Sequence, residues 1–148
     1  LHLAADAPRV NVCGDRILVR SAVDYKSGTG FLSLTSERAY DFAIDVLLPG
    51  GTQRVIDLQD RSLSGGTEYT IVAVGKSATD TVEALEFENP IADVGGGQFR
   101  LQLLHAAPDV PMVDVYLTEP DADLAASTPV ATLAYKAASD RLDLPAGT

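Results

Sequence analysis

Tryptophan is absent from the chain, and cysteine and methionine occur once each among its 148 residues. The lone Cys13 excludes an intrachain disulfide. Basic residues are also scarce, since 11 lysines and arginines stand against 21 aspartates and glutamates, for a net charge of −10. A chain so acidic is repelled by phosphate backbones, which excludes nucleic acid as a partner and disfavours anionic membrane surfaces.

Long apolar runs and helical patterns are missing as well. The longest apolar stretches, such as residues 71–74, have the length of a strand and fall far short of the ~20 residues of a membrane-spanning helix. No segment keeps a helical period over ten residues. The sequence therefore predicts neither a membrane span nor an α-helical fold.

A duplicated motif organises what is present. Residues 1–12, LHLAADAPRVNV, align without a gap on residues 104–115, LHAAPDVPMVDV, and seven of the twelve positions are identical. The alignment pairs His2 with His105 and Asp6 with Asp109. After an acidic insert at residues 118–129 the offset changes from 103 to 110, so that Tyr25 matches Tyr135. A repeat this long indicates a copied structural unit.

Short strands between turn signals account for nearly all of the rest. Strands are predicted at residues 9–13, 16–20, 31–34, 39–48, 52–58, 68–75 and 82–88 in the first copy, and at about four places in the second. In residues 113–117, Val113, Val115 and Leu117 are expected to face inward. Strands of this length and spacing predict an all-β fold, an antiparallel immunoglobulin-like β-sandwich.

The glycine-rich residues 91–98 mark a boundary between two domains. Residues 1–94 are expected to form one complete sandwich repeat and residues 98–148 the N-terminal half of a second one. A half repeat leaves an apolar face bare, so we expect it to pack on the first repeat or on another chain, for example as a homodimer. The first residue is Leu1 rather than Met, so any signal peptide or lipid anchor is expected upstream.

Three blocks carry a family resemblance. Residues 105–116, HAAPDVPMVDVY, resemble the hallmark of domain-of-unknown-function family 4397, and residues 69–75 and 144–148 resemble two later blocks of it. The first copy departs from the hallmark, because Cys13 replaces the final tyrosine. The resemblance implies a bacterial extracytoplasmic sandwich domain, whether secreted, periplasmic or surface-anchored, and it implies no catalytic activity.

His105 and Asp109 lie four residues apart across a proline corner, and His2 and Asp6 repeat this spacing. Such a pair is half of a general-base arrangement or of a metal site. The favoured interpretation is structural: the imidazole ends a strand and bonds to Asp109 or to backbone, and the aspartate satisfies free backbone N–H groups. Copying of the pair in both units favours a scaffold role.

Two binding sites are kept as alternatives. A Ca²⁺ or Zn²⁺ ion would take its ligands from His2, Asp6, His105, Asp109 and Asp114, although no calcium-loop motif is present and no cofactor is expected. The second alternative is an aromatic platform for sugars formed by Tyr25, Tyr116 and Tyr135. Tyrosines of sandwich strands are otherwise typical of the rim of the core.

Two functions follow from these patterns. The first is a non-catalytic module for adhesion, assembly or ligand binding at the cell envelope, with a protein or glycan partner. It is favoured because neither Cys13 nor any serine has a recognisable base or nucleophile motif. The alternative is a hydrolase or metal-dependent enzyme that uses the His–Asp corners.

Overall fold

The computed structural model describes residues 1–146, and it is all-β with antiparallel sheets, as predicted. Its only helical elements in that range are two short 3₁₀ turns, Ser77–Thr79 and Leu124–Ala126. No helix among these residues is long and apolar enough to span a membrane. The chain divides into two compact units, unit 1 (Leu1–Ile91) and unit 2, which begins at Ala92.

Unit 1 contains six strands. They are β1 (Val10–Gly14), β2 (Ile17–Val23), β3 (Ala39–Leu48), β4 (Gly51–Ser62), β5 (Thr67–Val74) and β6 (Glu83–Pro90). The first four form one sheet in the order β2-β1-β3-β4, and β5 pairs with β6. All of these pairings are antiparallel. The immunoglobulin-like topology remains a prediction.

Alternation of apolar side chains fixes which face of the four-stranded sheet is buried. In β3, Tyr40, Ile44 and Val46 are buried as the pattern predicts. Ile44 and Val46 belong to a core cluster that also includes Ala73 of β5. The four-stranded sheet and the β5–β6 pair therefore share one core, which is consistent with a β-sandwich.

β5 is apolar on both parities, and both of its faces are covered near its end. Val72, Ala73 and Val74 are all at most 1% exposed. On one side β5 pairs with β6, and on the other Ala73 forms a parallel bridge with His2. The first residues of the chain are thereby held against the central strand, which places His2 in the core.

Unit 2 contains four strands: β7 (Gln98–Leu101), β8 (Met112–Val115), β9 (Ala131–Ala134) and β10 (Leu142–Pro145). β7 pairs with β10 and β8 pairs with β9, both antiparallel. Arg100 and Asp143 face each other in the β7–β10 register and form a two-pronged ion pair at 2.6 and 2.7 Å. This two-pronged pair is consistent with the register of the two strands.

Two details of the predicted strands are wrong. Residues 31–34 are not a strand, and Phe31, Leu32 and Leu34 are exposed although they alternate as an inward-facing strand would. Leu117 lies beyond the end of β8 and is also exposed, not inward-facing. The apolar pattern was present in both places, but no strand is hydrogen-bonded to these residues in the described part of the chain.

Candidate functional site

The two histidines are the buried polar side chains around which each unit folds. His2 is 2% exposed and His105 is 6% exposed. The ring nitrogen Nε2 of His2 lies 3.1 Å from the carbonyl oxygen of Pro8, and that of His105 lies 2.8 Å from the carbonyl oxygen of Val110. A carbonyl only accepts, so Nε2–H is the donor in both corners. Each ring thereby bonds across its proline corner. The expectation that the imidazole ends a strand is wrong, because His105 lies beyond the end of β7 at Leu101 and His2 lies before the start of β1 at Val10.

An equivalent tyrosine packs on the imidazole of each unit. Tyr25 meets His2 edge to face with ring centroids 6.2 Å apart, and Tyr135 meets His105 in the same way at 6.1 Å. The interplanar angles are 75° and 74°, the T-shaped arrangement that aromatic pairs prefer. These contacts cover one face of each histidine with an aromatic ring.

The lysine that follows each tyrosine is hydrogen-bonded to the backbone of the histidine. Lys26 and Lys136 both have positive φ, 64° and 72°, and each places its ammonium group about 5 Å from the preceding tyrosine ring. The backbone N–H of Lys26 donates to the carbonyl of His2 at 2.8 Å, and that of Lys136 donates to the carbonyl of His105 at the same distance. The offsets of 103 and 110 found in the sequence thus recur in the hydrogen bonds.

This geometry commits one nitrogen of each histidine to a hydrogen bond within the protein. A general base must present a free ring nitrogen to a substrate. Nε2 of each ring already donates within its corner, whereas Nδ1 of His2 is buried and has no hydrogen-bond partner among the described residues. Nδ1 of His105 accepts from the N–H of Ala107 at 3.4 Å. Burial lowers the pKa of His2, which favours the neutral ring.

Asp6 does not bond to its histidine neighbour but reaches a distant part of unit 1. Its two carboxylate oxygens accept from the backbone N–H groups of Ser77, at 2.7 Å, and Ala78, at 3.0 Å. These two bonds lower the pKa of Asp6. The carboxylate therefore satisfies the free N–H groups of the 3₁₀ turn after β5, which is a structural role.

Two of the other proposed metal ligands have contacts of their own within unit 2. Nε2 of His105 is bonded to backbone, and Asp114 accepts from the hydroxyl of Thr132 at 2.5 Å. Across residues 1–146 no group of three or more histidine, cysteine or acidic side chains is arranged to hold a metal ion. The metal site proposed from the two histidines and from Asp6, Asp109 and Asp114 therefore remains a hypothesis.

The tyrosines proposed as a sugar platform are divided between the units. Tyr25 lies in unit 1, while Tyr116 and Tyr135 lie in unit 2. The rings of Tyr25 and Tyr135 each contact the histidine of their own unit. These two tyrosines therefore lie at the edges of the two histidine corners. This position gives no support to the proposal of a shared aromatic platform.

Cys13 lies in a shallow depression of about 150 Å³ on the outer face of the four-stranded sheet. Its thiol is 3.9 Å from a carboxylate oxygen of Asp45, whose other oxygen accepts from Arg54 at 3.0 Å. Burial, and next the charge of Asp45, raise the pKa of the Cys13 thiol. A thiol with a raised pKa is a poor nucleophile at neutral pH.

The strongest surface feature was not singled out by the sequence patterns. β2 is the last strand of its sheet, and three consecutive aliphatic side chains on it are exposed: Ile17 by 70%, Leu18 by 53% and Val19 by 39%. The signal that could have revealed it is an apolar run on both parities directly after the tight turn at Asp15 and Arg16. Both of these turn residues have positive φ.

Comparison with models of protein families gives a match over most of the chain. The model of the family described as "Domain of unknown function (DUF4397)" matches residues 1–116, more than three quarters of the chain. The chain belongs to that family. The match to the DUF4397 model begins in the first corner, spans all of unit 1 and ends at Tyr116, so it contains both histidine corners. No curated protein and no solved structure matches the chain.

Proposed function

We propose that this DUF4397 protein is a non-catalytic module of the cell envelope that binds a partner polypeptide along the free edge of β2, in adhesion or assembly. The observation that carries the proposal is the exposed run Ile17, Leu18 and Val19 on an edge strand. Native sheets usually blunt such edges with charges, prolines or covering loops. An edge that keeps three exposed aliphatic residues is suited to accept another strand.

Strand addition supplies both affinity and selectivity. The backbone groups along the free edge of β2 would pair with an extended segment, and side chains on the two faces of that segment would contact Ile17 and Leu18, which point to opposite faces of the sheet. Fully burying one aliphatic side chain stabilises by roughly 1.5–3 kcal/mol. Two such side chains, with the backbone bonds, are enough for a specific interaction of modest affinity.

The charges beside this edge favour an acidic partner segment. Arg16 and Arg20 flank the aliphatic run, and both are exposed. They lie in a chain whose net charge is −10, so they form a local exception to its acidity. A partner with apolar residues at its centre and carboxylates toward its ends would complement them.

The lack of an assembled reactive group among residues 1–146 supports a non-catalytic role. The imidazoles of His2 and His105 are buried and bonded to backbone, and the pKa of the Cys13 thiol is raised. An extracytoplasmic location is supported by the resemblance of the hallmark residues to family 4397. Antibody detection of the native protein in the periplasmic or surface fraction tests the location, and detection in the cytoplasm would overturn it.

The binding proposal is tested with a displayed library of random extended peptides. We expect the wild-type chain to enrich peptides with alternating apolar residues, and Leu18→Lys to abolish that enrichment. Ile91→Lys is the matched control, because Ile91 is 67% exposed but lies outside every strand. Equal enrichment on wild type and Leu18→Lys, or enrichment of sugars on a glycan array instead, would contradict the proposal.

A further inference from the structure

The depression on the outer face of the four-stranded sheet is built on three neighbouring strands. In the register of the sheet, Cys13 of β1 stands opposite Ala43 of β3, and Ala43 stands opposite Asp57 of β4. The small side chain of Ala43 therefore lies between two longer ones and forms the floor of the depression. Its volume of about 150 Å³ suits a small molecule and not a polypeptide chain. Paired strands also hold their side chains more precisely than loops do.

One of the two arginines that line the depression is already compensated within the protein. Arg54 lies 3.0 Å from a carboxylate oxygen of Asp45 and 3.9 Å from one of Asp57. The side-chain amide of Gln59 donates to the same oxygen of Asp57 at 3.3 Å. The charge of Arg54 is therefore met by its neighbours, and this arginine serves to hold the wall of the depression in place.

Two opposite charges at the depression are left without an ion pair. Among residues 1–146, the side chain of Arg16 has no hydrogen bond or ion pair. Asp41 has no ion pair there either, and one of its carboxylate oxygens accepts from the backbone N–H of Asp60 at 3.1 Å. Arg16 lies in the turn after β1, and Asp41 lies on the adjacent strand β3. Neighbouring strands are about 4.8 Å apart, so one small molecule can reach both charges.

The backbone at Arg16 adopts a conformation that arginine disfavours. Asp15 and Arg16 connect the paired residues Gly14 and Ile17, and their φ angles are 48° and 65°. A two-residue turn with positive φ at both central positions favours asparagine and glycine. Residues held against their backbone preference are concentrated at functional sites. An unpaired guanidinium kept at such a position, in the wall of a depression, is suited to bind an anionic group.

We infer that this depression binds a small zwitterion of the α-amino acid class, with its carboxylate on Arg16 and its ammonium group on Asp41. A simple anion would be repelled by Asp41 and Asp57, and a simple cation would be repelled by Arg16. A zwitterion satisfies both charges at once. The depression lies on the face of the sheet, whereas the function proposed above uses the edge of β2, so the inference does not depend on that function.

An NMR titration of the whole chain with L-alanine tests the inference. We expect saturable shifts at the backbone amides of Arg16 and Asp41. N-acetyl-L-alanine lacks the ammonium charge and L-alaninamide lacks the carboxylate, so each should bind roughly threefold to fivefold more weakly than L-alanine. Binding of L-alanine should weaken as salt is added, because the depression is open to solvent.

Two variants assign the charges of the ligand to their partners. Arg16→Asn removes the guanidinium and suits the positive φ, so it should abolish the preference for L-alanine over L-alaninamide. Asp41→Asn keeps an acceptor for the N–H of Asp60 and should abolish the preference for L-alanine over N-acetyl-L-alanine. Arg20→Asn is the matched control, because Arg20 is exposed but does not line the depression.

Four results would overturn the inference. L-alanine would cause no saturable shift, the shifts would lie away from the depression, or the two derivatives would bind the wild type as tightly as L-alanine does. The fourth is tighter binding of phosphoethanolamine than of L-alanine, which would assign the depression to a lipid headgroup instead of an amino acid.

Discussion

Nε2 of His105 donates to the carbonyl oxygen of Val110 at 2.8 Å, across the corner that contains Pro108. The corresponding ring in unit 1, His2, donates to the carbonyl oxygen of Pro8 at 3.1 Å, one position further along the aligned motif than Val110. Neither bond is made to the aspartate of the motif. The histidine therefore connects the residues before each corner to the chain after it, and the aspartate is left to make other contacts.

Removal of His105 is predicted to destabilise unit 2. His105→Ala deletes a buried ring and its hydrogen bond, and we expect a loss of about 2–4 kcal/mol in the free energy of unfolding. His105→Phe keeps the packing on Tyr135 but loses the bond, and should cost about half as much. Urea denaturation monitored by the unit 2 amides measures both. An unchanged midpoint for His105→Ala would show that the ring does not brace the corner.

The neutral state of His2 predicts that stability falls as the solution becomes acidic. Its folded pKa is lowered by burial below the ordinary value of about 6.5, so the unfolded chain takes up the proton first. The contribution of His2 is fully present above pH ~6.5 and is lost as the pH falls through the folded pKa. The facing groups are Asp24, which opposes the shift, and Tyr25.

Thermal unfolding of wild type and His2→Gln at pH 7.5 and pH 5 measures this effect. The wild type should lose more stability between the two values than the variant does. A wild-type stability that rises toward pH 5 would contradict the assignment of a lowered pKa. Asp6, whose pKa is also lowered, contributes in a separate and more acidic range, below about pH 4.

Asp6 is predicted to protect two distant amides. Replacing it by alanine removes the acceptor of the N–H groups of Ser77 and Ala78, so the exchange of both amides should accelerate. Asp6→Asn keeps one acceptor oxygen and should give an intermediate rate. Asp109→Ala, in the other corner, is the matched control and should leave Ser77 and Ala78 unchanged. Equal protection in wild type and Asp6→Ala would contradict the contact.

Gly75 is predicted to tolerate no side chain. Its φ is 101°, and a Cβ there would lie 2.2 Å from the carbonyl oxygen of Thr81. We expect Gly75→Ala to cost about 3–5 kcal/mol, because the clash is with backbone and the conformation disfavours L residues. Gly96→Ala, where a Cβ meets nothing within 4 Å, should change stability by less than about 0.5 kcal/mol. Similar midpoints for the two variants would refute this account of the turn.

The sequence was informative where a residue pattern specifies a local structure. Strict alternation from Tyr40 to Val46 predicted β3, and apolar residues of both parities predicted that the end of β5 is covered on both faces. Residues 31–34 show the limit of this reasoning, because alternation indicates which side chains share a face but does not supply a neighbouring strand.

The roles within the corners could be predicted only in part. A bond from the histidine to aspartate or to backbone was expected, and the choice of Pro8 and Val110 depends on the irregular path of each corner. The contact of Asp6 with Ser77 spans 71 positions, and no local pattern encodes it. The exposure of Ile17 and Leu18 likewise depends on which strand ends the sheet.

The tautomeric state of the two histidines tests the central claim most directly. Nitrogen-15 NMR of the imidazoles should show a proton on Nε2 of both rings, and each Nε2–H should exchange slowly with water. A histidine that carries its proton on Nδ1, or whose ring protons exchange freely with solvent, would contradict a bracing role and would reopen the corners as candidates for chemistry.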